Sequence, residues 1–248
     1  MHPGPRVTEM ALHEVLYRQG FGSRRACHAL ASSGAVRVAG VEQRDPLASL
    51  PLAGLILDVH GQHWPVCHHA TVMLHKPAGY ECSQRPTAYP SVYALLPAPL
   101  RQRPTRGQLG VQSVGRLDAD TTGLLLLTDD GALLHRLASP KHRVPKVYQV
   151  RTRDPVTEAL CCALWAGVVL RGEPRPVHAE AAQRTGANEL TLTLTQGKYH
   201  QVKRMVAAVG NRVEGLHRSA IGDLVLPADL APGQWRWLTE TQVQGLRG

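Results

Sequence analysis

Aromatic side chains are nearly missing from this chain. They make up 4% of its 248 residues, and Phe21 is the sole phenylalanine. A surface that grips single strands by stacking successive bases is therefore not expected, nor a sheet carrying exposed aromatic pairs. Paired cysteines are missing too. Cys27, Cys67, Cys82, Cys161 and Cys162 are odd in number and irregular in spacing, and no CxxC occurs. Neither a zinc ribbon nor a disulfide framework is supported, and no metal site is expected. Cys67-His68-His69 reads as loop, because adjacent side chains rarely point at one ion. Reduced thiols fit the cytoplasm. No apolar run approaches a membrane span, and the start MHPGPRVTEM lacks the apolar core of a signal peptide, so no membrane association is expected. Internal repeats, low-complexity tails and glycine-rich βαβ signatures are absent. Acidic residues are few, 19 against 28 lysines and arginines, for a net charge of +9. That excess bears on solubility first and on an anionic partner such as nucleic acid second.

What is present is enough apolar residue, 43%, for one substantial domain plus a small one. The most informative stretch is Val114 to Gly131, VGRLDADTTGLLLLTDDG. A carboxylate set between apolar strands is costly unless something uses or pairs it, which marks Asp118. Several chemistries fit these residue types. Asp118-Ala119-Asp120-Thr121 looks like the DxDxT nucleophile loop of aspartyl-phosphate phosphatases, but the acidic pair Asp129-Asp130 follows too soon to hold magnesium. The segment half-fits a calcium loop through Asp118, Asp120, Thr122, Gly123 and Asp129, without the closing glutamate. Asp118 can also act as a lone carboxylate, or merely cap a turn.

Two parts are legible along the chain. Leu12, Val15 and Leu16 recur at helical spacing, with Gly20 ending the turn. Ser23 caps a second helix from Arg24, whose exposed side carries Arg24, Arg25 and His28. Strands are expected at Val36-Arg37-Val38 and at Leu55 to Val59. Trp64 to His69 reads as a linker. A strand from Thr71 to His75 opens the larger part, followed by a Pro/Gly turn at Lys76 to Tyr80. Pro97 to Gly110, with Arg101, Arg103 and Arg106, reads as a mobile basic loop. Beyond Asp118 we expect a helix over Ala132 to Ala138, a strand over Val147 to Arg151 and a helix over Pro155 to Ala166. Strands follow at Val177 to Gln183 and Leu190 to Thr195. A helix opened by Gly197 to Gln201 has Val202, Met205, Val206 and Val209 as its apolar face. Strands at Val213 to Ile221 and Gln234 to Leu238 complete the reading. This irregular alternation implies an α+β fold with a mixed, mainly antiparallel sheet flanked by helices.

Three strings far apart resemble, in order, the motifs of the RsuA-like pseudouridine synthases. They are Gly115-Arg116-Leu117-Asp118 with its DADTTGLLLLTDDG continuation, Lys146-Val147-Tyr148, and Gly197-Lys198-Tyr199-His200-Gln201-Val202-Lys203-Arg204-Met205. Lys76-Pro77-Ala78-Gly79-Tyr80-Glu81-Cys82-Ser83 is similar to the KPxGYxCS box of the same branch. GFGSRRACHALASSGAVRVAG, Gly20 to Gly40, resembles the S4 RNA-binding domain. One departure stands out: many relatives have Glu before the KxY lysine, where this chain has Pro145, which removes any acidic partner there.

The resemblance implies a small S4-like (αL-type) domain over residues 8–64, a linker over 65–70 and a catalytic domain over 71–248. It implies isomerisation of a ribosomal RNA uridine, in the small subunit by the likeness of KPAGYECS, GKYHQVKRMVAAVGN and LHRSAIGDLVLPADLAPGQWRWLT, with large-subunit RNA as the alternative. The rival from another class is a non-catalytic S4-bearing assembly factor. The reaction breaks N1–C1′, turns the ring and joins C5 to C1′. No redox change and no net hydrolysis occur, so no cofactor is called for. The family assigns Asp118 the chemistry, Lys203 its ion pair and Tyr148 the stack on the base. Arg116 fills the gap left by the flipped nucleotide or holds its phosphate, with an ion pair to Asp120 as the competing role. Lys76, Lys146, Arg204, Arg24, Arg25 and His28 are expected RNA contacts. The implied partner is ribosomal RNA or an assembling small subunit, and the implied state is a monomer.

Overall fold

The computed structural model describes residues 8–105 and 109–248, which fall into two compact units. The first contains residues 8–70 together with the described residues of 96–111. Strand β1 (Glu9–Ala11) leads into α1 (Leu12–Gln19) and α2 (Arg24–Ser32). Gly20 ends α1 at φ +90, and a Cβ there would stand 2.1 Å from the Pro99 carbonyl oxygen, so only glycine fits. Ser23 starts α2 by accepting from the Ala26 amide. Next come β2 (Val36–Val38), β3 (Val41–Glu42), β4 (Ser49–Pro51), β5 (Ile56–Val59) and β6 (Gln62–Pro65). Strands β3, β2, β5 and β6 form an antiparallel sheet, and β1 pairs with β4. Leu12, Leu16, Cys27, Ala31, Val36 and Leu57 are fully buried. The short α3 (Ala98–Gln102) completes this unit.

Two expectations fail here. Trp64 and Pro65 are not linker: they end β6, and Trp64 is buried edge-on against Phe21. Pro97 to Gly110 is not simply a basic loop either. It contains α3, and Arg103 is 2% exposed, donating to the Gln19 side chain at 2.7 Å and to the Cys67 and His68 carbonyls. Arg106 lies outside the described residues.

The second unit is built on β7 (Thr71–Lys76), β8 (Gln112–Ser113), β9 (Thr122–Thr128), β10 (Lys146–Thr152), β11 (Ala181–Arg184), β12 (Glu189–Leu194), β13 (Val213–Ile221), β14 (Leu224–Val225) and β15 (Trp235–Trp237). The sheet runs β11-β12-β10-β13-β9-β7-β15, with β14 on β13 and β8 on β9. Every pairing is antiparallel except β9 with β13, so the sheet is mixed as expected. Helices α4 (Gly131–Ala138), α5 (Glu158–Ala166), α6 (Gln201–Ala208) and α7 (Glu240–Arg247) flank it. The unbroken Leu124 to Leu127 run forms central β9. All four leucines are fully buried, because a strand covered on both faces has no solvent side to alternate with. One core gathers β10, β12, α5 and α6 around Leu164, Leu192 and Met205. The other gathers β7, β9, α4 and α7 around Met73, Leu126 and Leu133.

Candidate active site

The turn before β9 carries Asp118, and its shape is fixed from inside. The Thr121 amide donates to the Asp118 carbonyl at 3.1 Å, and the Gly79 amide to the Ala119 carbonyl at 2.8 Å. Lys76, at the end of β7, is fully buried. Its ammonium donates to the Pro77, Ala119 and Thr121 carbonyls at 3.0, 3.2 and 2.8 Å. Burial lowers its pKa, against the charges of Cys82, Asp120 and Asp118. Lys76 was expected to touch RNA. That reading is corrected: an amine without solvent exposure and with three backbone acceptors is an internal brace for the turn.

Asp118 lines a cleft of about 730 Å³ together with Tyr148 on β10, Arg218 on β13 and His200 and Lys203 at the start of α6. Two side chains hold its carboxylate, the Lys203 ammonium with Nζ at 3.3 Å from Oδ2 and the His200 imidazole with Nε2 at 3.3 Å from Oδ1. Lys203 also donates to both oxygens of Asp120, at 2.7 and 2.8 Å. Burial works against the Lys203 charge. The Asp120 hydrogen bond and the Asp118 and Asp120 charges outweigh it and raise its pKa. Asp120 is likewise opposed by burial but held below the ordinary carboxylate range by Lys203. Asp118 is not sealed in an apolar site, since 31% of its side chain meets solvent. The calcium-loop reading also fails, because Thr122 and Gly123 lie in β9 and an ammonium, Lys203, bridges the two acids.

The strands approach closely enough to assemble this set because of Gly123. Its φ is +108, and a Cβ there would stand 2.3 Å from the Arg218 carbonyl oxygen, where β9 meets β13. His200 precedes α6 in a left-handed conformation, φ 47, and Tyr199 stacks on its ring at 3.8 Å. Tyr199 is 71% exposed and lines the cleft.

Sequence reasoning thus places Asp118, Tyr148 and Lys203 in one cleft. Arg116 lines it too, and its competing pair with Asp120 does not form, since Asp120 takes Lys203. Lys146 differs from expectation, as its ammonium donates to the Leu137 and Val144 carbonyls. Arg204 is tied to the Tyr199 and Arg171 carbonyls and lies 3.9 Å from Glu173. Arg24, Arg25 and His28 are exposed in the first unit, with Arg24 3.5 Å from Glu14 and over the Tyr17 ring. Sequence reasoning missed His200 and Arg218. His200 lay in plain view inside the GKYHQ string, whereas Arg218 carried no local signal.

Burial, reinforced by Arg218, lowers the Lys146 pKa from 10.5 to about 8. Between those values the unfolded chain holds a proton that the folded chain has lost, so stability should rise with pH through this window. Chemical unfolding of wild type and Lys146→Met across pH 7–10.5 should show that rise in wild type and a flatter profile in the variant. Parallel profiles would refute it.

The RNA pseudouridylate synthase family profile matches residues 70–208. The chain belongs to this family. The synthase is 45% identical over 174 residues to the ribosomal small subunit pseudouridine synthase A of Haemophilus influenzae, covering 70% of this chain and 72% of that one. It is 38% identical over 227 residues to the protein of the same name from Vibrio parahaemolyticus, covering 90% and 94%. A crystal structure of a pseudouridylate synthase superposes with TM-score 0.66 at 35% identity, covering 96% of the synthase and 99% of that chain. The synthase is accordingly an isomerase acting on uridine in RNA.

Proposed function

We propose that this synthase converts one uridine of small-subunit (16S) ribosomal RNA to pseudouridine, with Asp118 as the catalytic carboxylate. The observation that carries the reading is the carboxylate held at 3.3 Å by both Lys203 and His200 in a cleft shared with Tyr148. The Lys203 ammonium lies where it balances the charge of an attacking carboxylate. The target base leaves its stack to reach the cleft, Tyr148 packs on it, and Arg116 occupies the vacated space or holds the phosphate. The small-subunit assignment rests on relatives of that name matched over as much as 94% of their length. The substrate is ribosomal RNA, free or in an assembling small subunit in the cytoplasm. All the cleft residues come from one unit of one chain, which supports a monomer. The deciding experiment maps pseudouridine in 16S and 23S RNA from a strain lacking the gene. One missing 16S position is expected, an unchanged map would overturn the reading, and a missing 23S position would reassign the substrate.

Residues 8–64 serve as an S4-like RNA-binding domain, supported by the exposed Arg24, Arg25 and His28 on α2. Removing a cation that neutralises one phosphate should lower the salt dependence of binding by roughly one unit of slope or less. Arg24→Ala with Arg25→Ala should weaken rRNA binding and flatten its salt dependence. The single-turnover rate at saturating RNA should hardly change. Intact binding with a stopped chemical step would refute this division of labour.

A further inference from the structure

Resting on the uridine-isomerase reading above, we propose that Arg218 is a second functional cation of the cleft. Its free guanidinium arm donates to a carbonyl oxygen of the flipped uracil and stabilises the negative charge that ring acquires when N1–C1′ breaks.

Arg218 is 3% exposed. Its Nε is committed, donating to the Leu124 carbonyl at 2.8 Å. Its Nη2 is buried and has no hydrogen-bond partner among the described residues. A charged, fully buried donor left without an acceptor is costly, and sites that retain one generally use it. The direction of the side chain follows from the ladder. Arg218 sits opposite Tyr148 in the β10–β13 pairing, so both side chains leave the same face of the sheet, and both line the cleft with Asp118. No carboxylate among the described residues forms an ion pair with Arg218. Its charged neighbour is instead Lys146, whose ammonium it disfavours. The cleft therefore holds a cation without a carboxylate, Arg218 beside Tyr148, and a separate carboxylate, Asp118, that has its own partners.

That polarity suits the base more than the phosphate. The phosphates stay with the strand at the mouth, while the ring enters deepest and presents two carbonyl oxygens. When C1′–N1 breaks, its electron pair passes to the ring, giving an anion spread over N1 and both carbonyl oxygens. The ring then turns, C5 bonds to C1′, the C5 proton leaves and N1 gains one. No atom is gained or lost. A donor already fixed at a ring oxygen is worth most while that charge exists.

The test is a chemical double-mutant cycle. Wild type and Arg218→Gln act under single-turnover conditions on a ligated 16S fragment whose target position, known from the mapping above, holds uridine, 2-thiouridine or 4-thiouridine. Sulfur accepts hydrogen bonds poorly. Arg218→Gln should slow uridine conversion by about 100-fold, while RNA affinity changes little. Wild type should slow on one of the two thio substrates, identifying the oxygen, and Arg218→Gln should slow no further on it. A wild-type rate for Arg218→Gln, or an equal thio penalty in both proteins, would overturn the proposal. Should Arg218→Gln not fold, Arg218→Lys enters the same cycle, and a wild-type rate with wild-type thio sensitivity would be equally fatal. Wild type inactive on the uridine fragment would fault the substrate reading, whereas active wild type with an equally active Arg218 variant faults this proposal alone.

Discussion

Asp118→Asn should abolish pseudouridine formation, lowering the single-turnover rate on the order of 10⁴-fold or more, while the protein stays folded and binds RNA. The fold should survive because the turn is held through the Asp118 carbonyl, the Lys76 brace and the Gly79 amide, none of which needs the carboxylate. Lys203 keeps Asp120 at 2.7 Å, so the amine is not left bare. Unfolding midpoints should therefore match to within about 0.5 kcal/mol. Asp120→Asn is the control. It removes one of two acids on Lys203 and leaves Asp118 paired, so its rate loss should be far smaller. Near-normal turnover by Asp118→Asn, or equal losses in both variants, would remove Asp118 from the chemistry.

Lys76→Met should be the most damaging change among the buried charges. The substitution matches the length of the stem but withdraws the ammonium from the Pro77, Ala119 and Thr121 carbonyls, of which Ala119 keeps the Gly79 amide. Buried acceptors left empty cost about 1–3 kcal/mol each, partly offset here by relief of the buried charge, for an expected loss of about 2–3 kcal/mol. The turn carrying Asp118 would loosen at the same time, so activity should fall even where the protein is fully folded. Denaturant unfolding and single-turnover rates read the two effects separately. An unchanged midpoint with an unchanged rate would show the brace to be dispensable.

Legibility in the sequence tracks the range of the forces involved. Helices α1 and α2 were readable because their stop and start signals, Gly20 and Ser23, sit within a few residues of the apolar pattern they bound. Strand β9 was readable from four consecutive leucines. The Asp118, Tyr148 and Lys203 set was legible from motif strings, each local. The residues that went astray are those whose roles depend on distant partners. Lys76 bonds to carbonyls 43 and 45 positions away, Arg103 to a glutamine 84 away, and Arg218 to a carbonyl 94 away. A lysine or arginine is placed in water by default, and nothing nearby in the chain announced otherwise. Helix α7 was missed for another reason. Its capping box, Thr239 with Gln242, is local, but only Val243 and Leu246 mark an apolar face behind it.

The borrowed segment of the first unit bears on how the protein is made. Arg103 and Pro99 reach α1 only after β7 has been synthesised, 84 positions separating Arg103 from Gln19. A nascent chain ending near residue 70 holds the helices and small sheet of that unit but not the arginine that ties Gln19 to the Cys67 and His68 carbonyls. Completion of the N-terminal unit must wait until the ribosome has delivered β7 and the stretch around Arg103. A gene cut at residue 70 would accordingly yield a fragment that breathes and nicks readily, and resupplying 96–111 as a separate peptide should quiet it.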